Sequence, residues 1–193
     1  MNGMGHLRKV DWTVLPIGEH QTAARLIRAW HYSGSVANTS TYRHGLYPSN
    51  VLLTGDPYGV ALWIPPTKAA AQTLTDNWQG VLSLSRLVVD PMIGTNGASF
   101  LLGRSMRLID RERWPVLVTY ADTSHGHTGA IYKATNWTSW GEVPAGDTWE
   151  DAEGRQCGRK RGGRTFTKAE MIERGFTRRP TAPKIKFVHG VAE

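Results

Sequence analysis

Apolar side chains recur along the chain in two rhythms. Between residues 18 and 30 they fall at Ala23, Leu26, Ile27 and Trp30, the spacing of one buried helix face. The glycine of His31-Tyr32-Ser33-Gly34 is a natural stop for that helix. A second stripe (Ala98, Leu101, Leu102, Met106, Ile109) runs to about Arg113. It follows Thr95-Asn96-Gly97, where Thr and Asn side chains suit a helix start. A third predicted helix covers residues 128–137, with Ala130, Ile131 and Ala134 inward. Short apolar or alternating runs predict strands at residues 12–16, 80–90, 115–120 and 184–188, and a strand and turn at 139–149. Residues 51–53 and 58–64 read as a hairpin about a Gly-Asp-Pro turn, and 35–50 as a polar loop or irregular strand.

Strand–helix–strands–strand–helix–strand–helix–strand is an α/β order. Its economical packing is a mixed central sheet with helices on both faces. A chain of 193 residues builds one substantial core and is short for two, so a single domain over residues 1–193 is expected. The eight tryptophans are core by default, or platforms for stacking bases.

Charge changes this picture more than composition does. The net charge is +7, and between Arg155 and Lys186 there are eleven Lys/Arg against two Asp/Glu. A concentrated basic segment is the footprint of a polyanion partner, nucleic acid first, with a solubilising tail as the bland reading. Within this Gly/Arg-rich segment, at about residues 154–186, Arg155, Arg159, Lys160, Arg161, Arg164, Arg178 and Arg179 are the candidates for DNA phosphate contact. Cys157 is the only cysteine, which fits a reducing compartment. No apolar run is long enough for a membrane span and no signal-peptide core precedes the first strand, so the expected location is cytoplasmic.

Candidate chemistry gathers at strand ends. Tyr120-Ala121-Asp122 closes an apolar run, and His125 and His127 follow in a glycine-flanked turn. Asp122 could take a proton, polarise an amine, bind a metal or simply cap the turn. Ser85 and Arg86 lie mid-strand, where an arginine is costly unless it is paired or holds an anion. The loop carrying Gly94 and Gly97 opens a helix with Arg104 and Arg107 close by, and free amides at a helix start suit phosphate. It matches neither common phosphate-loop fingerprint.

The order of elements resembles the GNAT acyltransferase fold, in which two parallel strands splay apart and an acyl-CoA enters the gap. Residues 82–89 stand where its central strand would be, 94–104 where its pyrophosphate loop would be, and 130–137 where its last helix would be. The usual Q/R-x-x-G-x-G/A loop is absent; Gly97-Ala98-Ser99-Phe100-Leu101-Leu102-Gly103-Arg104 is the nearest string.

Five strings in order resemble the phage Mom family, a divergent GNAT branch. They are Trp30-His31-Tyr32-Ser33, Leu84-Ser85-Arg86-Leu87, Ser99-Phe100-Leu101-Leu102-Gly103-Arg104, Tyr120-Ala121-Asp122 with Gly126-His127-Thr128-Gly129, and Ile131-Tyr132-Lys133-Ala134-Thr135-Asn136-Trp137. That resemblance implies an enzyme that places a methylcarbamoyl-type group on the exocyclic amine of adenine in double-stranded phage DNA, hiding the genome from restriction. It implies an acyl-CoA, acetyl-CoA first, and possible iron. By the same resemblance His31, Tyr32, Ser85, Arg86, Tyr120, Asp122 and His127 are the expected catalytic residues. Leu87, Val88, Val89, Gly97, Phe100, Leu102, Gly103, Arg104 and Tyr132 are the expected cofactor contacts. His31, Asp122 and His127 are the trio for a metal. The adenine must leave the stack to react. The alternative function is a conventional GNAT N-acetyltransferase for a protein or small-molecule amine.

Overall fold

A computed structural model describes residues 6–32, 36, 39–49, 55–144 and 146–190, with only the backbone of Gln156 and Arg161. Its strands are β1 (Trp12–Pro16), β2 (Tyr42–Pro48), β3 (Gly59–Ile64), β4 (Val81–Val89), β5 (Val116–Asp122), β6 (Thr138–Val143), β7 (Asp147–Glu150), β8 (Gln156–Cys157), β9 (Lys160–Arg161), β10 (Arg164–Thr165), β11 (Thr177–Pro180) and β12 (Lys184–His189). Its helices are α1 (His20–Trp30), α2 (Lys68–Gln72), α3 (Gly97–Arg107), α4 (Ala130–Lys133) and α5 (Lys168–Glu173). One seven-stranded sheet has the order β1-β2-β3-β4-β5-β12-β6, antiparallel from β1 to β4 and parallel between β4 and β5. The chain divides into two compact units, one of residues up to 119 with 129–139 and 187 onward, the other of 120–128 and 140–186.

In the first unit, α1 buries Ala23, Leu26 and Ile27 against Ile17, Val60, Leu62 and Val88. Burying a side chain of that size fully contributes about 1.5–3 kcal/mol. Strand residues alternate between faces, so Val89, next to Val88, points to the opposite side. There it approaches Gly59 and Gly97, beside Leu101 of α3. The two helices therefore cover opposite faces, as the α/β reading expected.

Several boundaries differ from the sequence reading. The segment at 51–53 lies outside the described residues, and the hairpin partner of β3 is β2, from the stretch read as a loop or irregular strand. Its polar letters misled because His44, Gly45 and Leu46 are all enclosed. Gly45 has no room for a side chain, since a Cβ there would sit 2.8 Å from Pro57. Helix α1 starts two residues late because Glu19 is still extended (φ −98°, ψ 129°). Helix α3 ends at Arg107, not near Arg113, because Asp110 Oδ1 accepts from the amides of Glu112 (3.0 Å) and Arg113 (3.2 Å) and makes a turn instead.

The third helix is one turn, α4, entered through Gly129 at φ 76° and left through Asn136 at φ 63°. Ala130, Ile131 and Ala134 are exposed rather than inward. The inward side belongs to Tyr132 and Trp137, whose rings lie 6.0 Å apart, with Phe187 5.1 Å from Tyr132.

The second unit contains a three-stranded sheet of order β11-β7-β8, the β9–β10 hairpin and α5. Trp149 and Met171 are fully buried. A capping box starts α5: Thr167 accepts from the Glu170 amide, and Glu170 accepts from the Thr167 amide. Asp147 takes both Lys168 (2.9 Å) and Arg178 (2.7 Å).

Candidate active site

The parallel pair β4–β5 is short. It is aligned at Val81–Val116, Leu82–Leu117 and Ser83–Val118, and beyond that Thr119 Oγ1 reaches the Leu84 carbonyl at 3.4 Å. Past Ser83 no further aligned pair joins β4 to β5 among the described residues. Two residues past the last aligned pair, β4 carries a bulge. Leu84 faces Trp63 and Arg86 faces Leu62, leaving Ser85 as the extra residue. A bulge bends its strand and re-aims side chains, and here it falls where the parallel pair opens.

Arg86 shares the α1-facing side of β4 with Val88. Its Nη1 donates to the Ser85 carbonyl at 2.7 Å and lies 3.4 Å from Ser85 Oγ. Burial pulls the guanidinium pKa down, and nearby Tyr32 opposes that shift. Tyr32 is about half exposed and stacks on His31, with ring centroids 4.3 Å apart. His31 caps the end of α1 through its amide, which donates to the Ile27 carbonyl at 2.9 Å. Among the expected catalytic residues, Tyr32 and Arg86 are thus within electrostatic reach of one another, with His31 on one side and Ser85 on the other.

Tyr120 and Asp122 end β5 in the second unit. Burial pushes the Tyr120 phenol up, so it stays protonated at neutral pH. Asp122 caps the turn that follows: its Oδ1 accepts from the Ser124 amide (3.2 Å) and hydroxyl (2.5 Å), and Oδ2 pairs with Lys184 at 3.1 Å. Partial burial raises its pKa, but the hydrogen bonds from Ser124 and Lys184 and the lysine charge outweigh that and hold the carboxyl below its usual value. The capping reading and a chemical role are compatible, because a carboxylate has more lone pairs than these partners use. His125 and His127 are exposed, with rings 6.2 Å apart.

The expected cofactor contacts divide by burial. Leu102 is fully enclosed and Val88 belongs to the core under α1, so neither side chain is available to a ligand. Phe100, Gly103 and Arg104 line an open cleft of about 610 Å³ along α3 and the end of α4. Gly97 starts α3 where a Cβ would come 2.6 Å from Ile93 Cγ2, so only glycine fits without a shift. The Tyr132 phenol is pushed up by burial and the ring packs on Phe187, which makes it a wedge under α4.

Among the described residues no three His, Cys, Asp or Glu side chains form a group that could hold a metal ion. Asp122 is held by Ser124 and Lys184, and His31 by its stack on Tyr32. The basic segment is also less free than its count suggests. Arg155 pairs with Asp151 and Glu153, Arg164 with Glu170, Arg178 with Asp147 and Arg179 with Glu150. Between Trp140 and Lys186 the acidic residues number seven against eleven basic ones. Arg159 donates to the Phe166 carbonyl (3.1 Å), Lys160 is exposed, and the side chain of Arg161 lies outside what is described.

A buried Ser–His contact that sequence reasoning missed lies under β2. Trp63 Nε1 donates to Ser105 Oγ at 2.8 Å, and Ser105 Oγ also shares a hydrogen bond with His44 Nδ1 at 2.7 Å. All three side chains are enclosed. His44 is kept neutral by burial, its pKa lowered to about 4. It is a core lock with no path to a substrate.

The fold is that of GNAT acetyltransferases. A Bacillus subtilis acetyltransferase solved with CoA matches with TM-score 0.56 at 6% identity, covering 94% of this chain and 99% of its own. A GCN5-related N-acetyltransferase from Kribbella flavida matches at 0.54 (10% identity, 94% and 98%), and the Escherichia coli ribosomal-protein-S18-alanine N-acetyltransferase at 0.52 (11%, 94% and 95%). No curated protein matches the sequence. Within that class the chain belongs to the Mom protein family, whose profile matches residues 11–176. Among the described residues no helix is long and apolar enough to cross a membrane.

Proposed function

We propose that this Mom-family transferase modifies adenine in double-stranded DNA, placing a methylcarbamoyl-type group on the exocyclic amine of an extruded base and so shielding phage DNA from restriction. The observation that supports this most is the opening of β4 from β5 beyond Ser83, with the Ser85 bulge beside it. An acyl-CoA, acetyl-CoA first, suits that opening. Past Ser83, β4 offers backbone groups to amides of the pantetheine arm. The first-turn amides of α3, which no helix can satisfy internally, and Arg104 suit its phosphates. Bound there, it would supply an activated two-carbon acyl unit, and the nitrogen of a methylcarbamoyl-type group would have to come from a second, nitrogen-bearing donor. Iron has no comparable support, and no step is assigned to it.

The chain's own groups divide the remaining work. Arg86, desolvated and beside Tyr32, stabilises negative charge near the bulge, where low dielectric strengthens its field. Tyr120, protonated at neutral pH, is a proton donor. Asp122 stays a carboxylate, so it acts as an anionic acceptor for the adenine amine rather than as a proton reservoir. DNA phosphates are met first by Arg159 and Lys160, which no carboxylate pairs with among the described residues. Paired arginines such as Arg178 join only by exchanging partners.

The test is restriction protection. Plasmid from cells expressing the full chain is digested with nucleases whose sites contain adenine. Wild type is expected to leave resistant plasmid, and Asp122→Ala and Arg86→Gln to leave it sensitive at equal soluble protein. Full sensitivity with wild type, alongside acetylation of a non-nucleic amine, would move the assignment to a conventional N-acetyltransferase.

A further inference from the structure

The cleft along α3 has a second feature at the end away from the helix start. Arg111 and His189 both line it. Arg111 Nη1 and His189 Nδ1 are shielded from solvent and have no hydrogen-bond partner among the described residues. Arg111 is fixed by its other nitrogen, Nη2, which donates to the Pro115 carbonyl at 2.8 Å. Gly190, at φ 92°, closes over the same place, where any Cβ would strike that guanidinium and that carbonyl. The His189 ring rests 5.8 Å from Trp137. A rigid backbone thus holds two unsatisfied nitrogens together. Burial, then the charge of Arg111, lowers the His189 pKa, and burial lowers that of Arg111.

The surroundings are one-sided. Lys9, Arg104 and Arg107 also line the cleft, and among the described residues no acidic one does. Among the described residues no carboxylate pairs with Lys9, Arg104, Arg107 or Arg111. Arg155, Arg164, Lys168, Arg178, Arg179 and Lys184, in contrast, all have acidic partners. Buried polar groups are normally satisfied, and an orphan requires an explanation. Arg111 Nη1 can only donate, so its missing partner must carry lone pairs, and His189 Nδ1 can donate to the same partner in its Nδ1–H tautomer. The uniform sign of the lining asks for negative charge.

We propose that the Arg111 end of this cleft binds a phosphate group, with Arg111 and His189 at its floor and Lys9 and Arg107 at its rim. Binding there does not depend on the proposed reaction. The phosphate belongs either to a nucleotide-bearing small molecule or to the backbone of a nucleic acid. The chemistry recognised is the same, and a cleft of this volume has room for a nucleotide-sized group.

The test follows the His189 ring resonances by NMR in the full chain. Inorganic phosphate is titrated first, then adenosine 3′,5′-bisphosphate, then a short DNA duplex, with chloride at matched ionic strength as control. Phosphate is expected to move the His189 signals saturably and to raise the apparent His189 pKa, because the anion offsets the Arg111 charge. The Lys9→Ala/Arg107→Ala double variant leaves the floor intact and should weaken phosphate binding several-fold. Arg111→Met should abolish the response. If Arg111→Met fails to fold, the double variant carries the test. A stronger response to the bisphosphate assigns the small molecule, and a stronger one to the duplex assigns the nucleic acid. Signals that no phosphate species moves beyond the chloride control, or a double variant that binds like wild type, would overturn the proposal.

Discussion

Ser105 Oγ accepts from Trp63 and shares a hydrogen bond with His44 Nδ1 in a place water does not reach. Ser105→Ala leaves both partners unsatisfied, at about 1–3 kcal/mol for each orphaned group. Thermal unfolding should show it as a fall of about 2–4 °C for each kcal/mol in a chain of this size. His44 also links stability to pH. Its folded pKa of about 4 lies below the ordinary value of 6.5, so the fold favours the neutral ring. That contribution is complete above 6.5 and is lost as pH falls toward 4. At about 1.4 kcal/mol per pH unit it is on the order of 3 kcal/mol. Asp122 acts in a lower window. Its folded pKa is depressed, so its contribution is present above the unfolded value and disappears as pH falls through the folded one. Denaturant midpoints measured from pH 8 to 3 should therefore fall first below 6.5, and that first step should shrink in His44→Gln to the part that His189, its pKa also lowered by burial, contributes.

Elements were legible where the pattern was long and its faces contrasted. The four-position stripe of Ala23, Leu26, Ile27 and Trp30 located α1, and the apolar run of 81–89 located β4. The bulge at Ser85 left only an indirect sign, two adjacent polar residues in an apolar strand. Periodicity does not encode where a strand gains a residue. In α4, four helical residues are too few to establish a face, and the large rings of Tyr132 and Trp137 decide which side is inward. The site residues that came from motif resemblance were named one by one. The Lys9, Arg107, Arg111 and His189 lining was not, because those residues are far apart in sequence and only the fold brings them together. One backbone feature makes α4 testable. Gly129 has φ 76°, and a Cβ there would enter the Phe187 ring. Gly129→Ala is expected to lower the melting temperature by several degrees, through left-handed strain and displacement of Phe187. A melting temperature equal to wild type would show that the α4 entry differs from the one described.

Across the whole molecule, net charge is a poor guide to where a polyanion binds. The richest basic segment spends four of its seven candidate DNA contacts on nearby acids at 2.7–2.9 Å or closer. The acid-free lining along α3 lies elsewhere in the chain. Exposed ion pairs hold only about 0–1 kcal/mol each, so DNA phosphate could displace the carboxylates at small cost. Such contacts carry little sequence information. On the function proposed above, specificity and chemistry are therefore assigned to Arg86, Tyr120 and Asp122 rather than to the basic segment. The measurement that tests this most directly is mass spectrometry of nucleosides from plasmid DNA made in cells expressing the full chain. The account predicts a modified deoxyadenosine whose added mass lies on the base, present with wild type and absent with Asp122→Ala at equal soluble protein. Deoxyadenosine unchanged by well-expressed wild type, or modified equally by Asp122→Ala, would contradict it.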